Sequence, residues 1–160
     1  MAYLLVVVGA LALDQWSKWL VLLYLPLFQP TPLLARWLNF TVWHNSGGAF
    51  SLFQGQGVWL AAVAVLVSGG IAVLLLRFPR TNRALNLGLA LIAGGALGNL
   101  VDRVRWGYVV DFIQVCFNGV CVFPIFNVAD SAIVVGTALI LWTWIRQPQP
   151  RQDLSSLKRP

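Results

Sequence analysis

The sequence predicts an all-α membrane protein, with four transmembrane helices and a small extracytoplasmic β-sheet built from the first outer loop. Three observations lead there. Of the 160 residues, 59% are hydrophobic and 10% charged, against about 25% charged and about 45–50% apolar in soluble domains. The apolar residues fall in long blocks separated by short polar patches, as in chains that cross a membrane repeatedly. One of those patches alternates bulky and polar residues in the manner of a strand. With so much of the chain committed to lipid, residues 1–160 are expected to form a single integral membrane domain.

The spans are about 3–24, 58–76, 85–103 and 128–145. Each is close to the roughly 20 residues that cross a hydrocarbon core about 30 Å thick. Backbone groups in lipid must be satisfied within their own segment, so the spans are helices. The first carries Asp14 and Lys18, has no basic residue ahead of its apolar stretch and is followed by no small-residue cleavage site. It therefore reads as a retained helix and not as a cleaved signal peptide.

Basic residues set the orientation. Arg77, Arg80 and Arg83 lie between spans two and three, and Arg146, Arg151, Lys158 and Arg159 follow span four. The opposite side has Arg36 and Arg105. The positive-inside rule places both termini in the cytoplasm and both long loops outside. The net charge of +6 is thereby explained, and no basic stripe with interleaved aromatics suggests nucleic acid as a partner. Trp37, Trp43, Trp59 and Trp106 near the outer boundary, with Trp142 and Trp144 near the inner one, read as interfacial belts.

In the first outer loop, "ARWLNFTVWHNSGGAFSLF" predicts a short strand pair, with "NSGG" as its turn. In the second, "VCFNGVCV" is a hairpin signal, since Asn118 and Gly119 both tolerate positive φ. That register opposes Cys116 and Cys121 as a close pair, with Cα atoms about 4.5 Å apart. A disulfide is expected between them on the oxidising side of the membrane. Two cysteines and one distant His44 are too few ligands for a metal site. No metal or cofactor is expected, and His44 reads as a loop histidine.

Five acidic residues, all aspartates, serve the whole chain. Asp14 and Lys18 share a helix face at i, i+4. They are either a mutually neutralising pair or direct members of a site. In "GGALGNLVDR", Gly94 and Gly98 permit close helix approach. Asn99 shares a face with Asp102 and with Arg103, while Asp102 and Arg103 point apart. Arg103 could snorkel to the interface, hold an anionic lipid or bind a substrate carbonyl. In "FNVAD", Asn127 is a good N-cap and Asp130 suits the first helical turn, which gives Asp130 a purely structural reading. That reading leaves Asp111, in the apolar "YVVDFI", without a role. If the loop folds back, Asp111 and Asp130 form a dyad in which one carboxyl keeps its proton. One acid then works as base on a water while the other donates to a carbonyl oxygen. The positive end of helix four favours charge on Asp130 and leaves the proton on Asp111.

"LDQWSK", "HNSGGAFS", "GGALGNLVDR", "VVDF" and "FNVAD", in this order, resemble the signal peptidase II family of lipoprotein signal peptidases. The resemblance extends from Asp14 to the fourth span. It implies an intramembrane aspartic endopeptidase of the bacterial cytoplasmic membrane, with its site at the outer face. Such enzymes remove the signal peptide from prolipoproteins, on the amino side of a diacylglyceryl-bearing cysteine. The resemblance makes Asp111 and Asp130 the catalytic pair. Asn45, Asn99, Arg103 and Asn127 line the site and hold substrate or order the carboxylates, and Asp14 and Lys18 are supporting positions. The implied partners are prolipoproteins and membrane lipid, and the chain is expected to be a monomer. The cysteine hairpin is no part of the resemblance. Two other classes compete. A proton-coupled transporter could use Asp14, Asp111 and Asp130 as a relay, but no internal repeat is visible. A membrane scaffold leaves Asp111, Asn45 and Arg103 unexplained.

Overall fold

The computed structural model describes residues 2–34, 37–48, 52–77, 82–121 and 123–146. The elements in order are α1 (Ala2–Tyr24), β1 (Thr31–Leu34), β2 (Leu38–Asn45), α2 (Gly57–Arg77), α3 (Arg83–Trp106), β3 (Val109–Val115) and α4 (Val128–Ile145). All four helices are long and apolar enough to cross a membrane. Arg80, Arg151, Lys158 and Arg159 of the basic side lie outside the described residues, as do Arg36, Phe50 and Ser51 of the first outer loop.

Helix α3 runs past the expected end at Arg103. It stops at Gly107, whose φ of 80° is left-handed and whose N–H reaches the Arg103 carbonyl at 3.0 Å. Glycine adopts that conformation without a Cβ clash, which ends the helix there. The charges of Arg103 and Arg105, on either side of Val104, hide the added turn from an apolar count.

α3 is also the helix against which α1, α2 and α4 all pack. Its buried positions include Ala90, Ala93, Gly94, Gly95, Ala96 and Gly98, small enough to let neighbouring backbones approach. Gly94 faces Val7 and Ala10 of α1, and a Cβ added at Gly98 would stand 2.5 Å from the Asp14 carboxylate. α2, by contrast, buries only Ala64, Ser68 and Ile71 among its described residues.

The sheet has the antiparallel order β1-β2-β3. The alternating stretch of the first outer loop supplies β2, as predicted, while β1 lies ahead of it. "NSGG", however, does not turn β2 back into a new strand. The other neighbour of β2 is β3, from the second outer loop. Both loops leave the same end of the bundle, so strands distant in sequence can pair. Val21 of α1, Val42 of β2, and Val110 and Phe112 of β3 form a buried cluster joining sheet and bundle. Beyond β3, Phe117 and Val120 exchange backbone hydrogen bonds of 2.7 and 2.9 Å around Asn118 and Gly119, whose φ values are 50° and 85°. Cys116 and Cys121 are bonded across this turn, Sγ to Sγ at 2.04 Å.

Candidate active site

Asp111 sits in the middle of β3, opposite Trp43 of β2, and Asp130 in the first turn of α4. Pairing with β2 carries Asp111 toward the mouth of α4. The backbone of Phe126 completes the approach, with Ile113 donating to its carbonyl at 2.8 Å and accepting from its N–H at 3.1 Å. Both carboxylates face one cavity of about 650 Å³, walled by α2, α3, α4 and the segment Phe123–Phe126. Asn45, Asn99 and Arg103 line it too, among mainly apolar neighbours such as Leu60, Val63 and Ile133.

Asn127 ties the two acids together. As N-cap of α4 it accepts the Asp130 N–H at 2.9 Å, while its own N–H reaches Asp130 Oδ2 at 3.2 Å. This reciprocal capping box satisfies helix-end donors. The same side chain donates from Nδ2 to Asp111 Oδ1 at 2.7 Å. The capping role of Asp130 is therefore real and uses one oxygen. Its other oxygen, Oδ1, receives Asn99 Nδ2 at 2.8 Å, and Asp111 Oδ2 receives Asn45 Nδ2 at 2.9 Å. Every oxygen of both aspartates thus has a donor.

Asp111 is 1% exposed. Burial, followed by the nearby charge of Asp130, pushes its carboxyl up to about 7 from 3.8, against the opposing hydrogen bonds of Asn45 and Asn127. A carboxyl that keeps its proton near neutrality can act as a general acid.

Behind the cavity, Lys18 lies 2.8 Å from both Asp14 and Asp102 and donates to Asn99 Oδ1 at 3.1 Å. Asp14 also accepts the Ala129 N–H of α4 at 2.9 Å, and Asp102 the Val110 N–H of β3 at 3.0 Å. Both alternatives for Asp14 and Lys18 contain part of the answer. They neutralise each other and adjoin the site, yet neither lines the cavity. Arg103 donates to the Gly47 carbonyl at 2.9 Å and so ties the loop after β2 to α3. Asp102 and Arg103 point apart, as adjacent helical residues must.

Gln15 is a neighbour of the site that the sequence reading does not name, and Asp102 one that it places beside Asn99 without a role. Gln15 Nε2 reaches Asp102 Oδ1 at 2.9 Å and the Gly98 carbonyl at 3.1 Å, locking α1 to α3. The available signal was polarity inside apolar spans, beside Asp14 and one turn from Asn99. His44 stacks on Tyr108 at 4.0 Å and meets Phe28 edge-on, and burial lowers its pKa. Among the described residues, no three His, Cys, Asp or Glu side chains gather as metal ligands.

Four membrane-crossing helices with two amide-bound carboxylates in one cavity define a multi-pass membrane protein with a polar site at one end of its bundle. Comparisons with known proteins narrow that class. The model of the family described as Signal peptidase (SPase) II matches residues 6–146. A lipoprotein signal peptidase of Acinetobacter baumannii is 46% identical over 136 residues, covering 82% of this chain and 76% of the relative. One from Geobacillus thermodenitrificans is 41% identical, covering 86% of each. A bacterial membrane enzyme solved at 2.3 Å superposes with a TM-score of 0.83 at 26% identity, over 99% of this chain and 92% of the other. The chain belongs to the signal peptidase II family, and is thereby a peptidase of a bacterial membrane.

Proposed function

We propose that the protein is an aspartic endopeptidase that removes the signal peptide from prolipoproteins, cutting on the amino side of a diacylglyceryl-modified cysteine. The observation that carries this reading is the shared cavity of Asp111 and Asp130, bridged by Asn127. Its mainly apolar walls suit a substrate that is itself an apolar helix with an anchored lipid. The names of the relatives, lipoprotein signal peptidases, support the same substrate class.

Asp130, ionised, takes a proton from a water while that water's oxygen attacks the scissile carbonyl carbon. Asp111, protonated, donates to the carbonyl oxygen as it gains charge. The tetrahedral intermediate collapses as Asp130 passes its proton to the leaving nitrogen and the carbonyl re-forms, returning a proton to Asp111. The products are a signal peptide with a new carboxyl terminus and a lipoprotein with a free cysteine amine. Arg103 and Asn45 hold the loop and the acid in place. A relay through Asp14 is disfavoured, since Lys18 and the Ala129 N–H occupy that carboxylate.

The enzyme works as a single membrane-integral unit and as a monomer, in contact with lipid. Arg77 and Arg83 at one end of the bundle, with Arg146 beyond α4, support a cytoplasmic placement of that end and of both termini. The site then opens at the outer face, where the lipidated cysteine is anchored. The test is cleavage of a purified prolipoprotein with and without its diacylglyceryl group, by wild type, Asp111→Asn and Asp130→Asn. Cleavage of the lipidated form alone, lost in both variants, is expected. Equal cleavage of both forms removes the lipid requirement, and full activity in either variant removes the dyad.

A further inference from the structure

We infer that Lys18 is a positioning residue: its buried ammonium fixes the orientation of the Asn99 amide and so obliges Asn99 to donate to Asp130. The inference rests on the proposed dyad. An ammonium group has donors and no acceptor. Lys18 Nζ meets three oxygens, Asp14 Oδ2 and Asp102 Oδ2 at 2.8 Å and Asn99 Oδ1 at 3.1 Å. The NH2 of Asn99 therefore cannot face Lys18. Its oxygen also accepts Asn127 Nδ2 at 3.1 Å, leaving its NH2 to reach Asp130 Oδ1 at 2.8 Å. A flipped amide would set donor against donor at Lys18 and oxygen against oxygen at Asp130.

The other two asparagines are clamped locally. The Asp130 N–H holds Asn127 Oδ1, and the Gly47 N–H holds Asn45 Oδ1, each at 2.9 Å. Asn99 Oδ1 is held from a distance, by Lys18, 81 residues away on another helix, and by Asn127, 28 residues away. Lys18 is 3% exposed and lines no part of the cavity, so it acts through Asn99 and not on substrate. Asp111 of β3 and Arg103 of α3 also face Asp130, with Asp14 of α1 and Asp102 of α3 behind Asn99. Because those last two carboxylates offset the ammonium, Lys18 gives Asp130 chiefly an oriented donor and little net field.

Lys18→Met alone leaves two buried carboxylates without a counterion and threatens the fold. The test therefore uses Lys18→Met with Asp102→Asn, which leaves the net charge of the cluster unchanged, measured against Asp102→Asn alone. Turnover of lipidated prolipoprotein is followed across pH, with thermal unfolding as the folding control. The expected result is a kcat about ten- to a hundredfold lower, the range for losing a hydrogen bond to a charged group. KM should hold within about twofold while kcat falls, because Lys18 lines no part of the cavity. In an Asn99→Ala background, the loss of Lys18 should cost less than about twofold more, since nothing remains to orient. A kcat equal to that of Asp102→Asn alone overturns the role of Lys18, as does a full further loss on Asn99→Ala. Full activity in Asp111→Asn or Asp130→Asn strikes the dyad instead.

Discussion

Two pairs of aspartates lie close together at one end of this bundle, and different groups stand between them. Asp14 and Asp102 flank the Lys18 ammonium, 2.8 Å from each. Asp111 and Asp130 are bridged by the neutral Asn127, while Asn99 donates to Asp130 and Arg103 stands near both. The first arrangement sets one buried ammonium between two carboxylates and offsets their charge. The second gives one carboxyl reason to keep a proton, because two buried anions so close repel. What separates the acids thus divides a rigid joint from a reactive site. The joint holds α1, α3, β3 and α4 together, and the site works at its edge.

The largest expected effect comes from removing either member of the amide-bridged pair. Asp111→Asn and Asp130→Asn should each lower kcat about a thousandfold or more, with folding retained, as loss of an acid or base group does. The comparison is broken if either variant stays active. Next is Lys18→Met, expected to cost about 3–5 kcal/mol of stability by stranding Asp14 and Asp102. Urea or thermal unfolding in mild detergent measures it, beside an Asp111→Asn that loses no stability because it relieves repulsion.

A pH series sharpens the contrast. Unfolded, Asp111 ionises near 3.8, while folded it holds its proton to about 7. Between those values the folded state binds the extra proton, so its contribution is fully present below 3.8. That contribution falls as pH rises and levels off above about 7. Wild type minus Asp111→Asn should show this decline in unfolding midpoint, and a flat difference would contradict it. The smallest effect belongs to the cysteine hairpin, which touches neither pair. Cys116→Ala with Cys121→Ala should cost about 2 kcal/mol or less in the chain-entropy account, with kcat within about twofold because neither sulfur lines the cavity.

The helices were legible because apolar length is a local property. α4 was read as 128–145 and spans Val128–Ile145. The hairpin turn was equally local, written in Asn118 and Gly119. β3 was not read as a strand, because its pairing partner β2 lies in the other outer loop and only the sheet reveals its alternation. For the same reason "NSGG" looked like a return turn when it is a loop held by Arg103. Asp111 and Asp130 could be suspected as misplaced charges in apolar surroundings. The partners of Asp102 and Gln15 are not legible, because they arise from α1–α3 packing, where Gly98 lets Asp14 come close. Local signals gave the elements, and long-range contacts gave the roles.

Infrared difference spectroscopy of the detergent-solubilised protein tests most directly whether the amide-bridged pair keeps a proton. A protonated-carboxyl band should be present on the acid side of neutrality and titrate away near pH 7, where Asp111 releases its proton. It should be missing in Asp111→Asn. A spectrum with no such band, or one whose band survives Asp111→Asn unchanged, would mean that the two pairs are alike in charge and that the proton is held elsewhere.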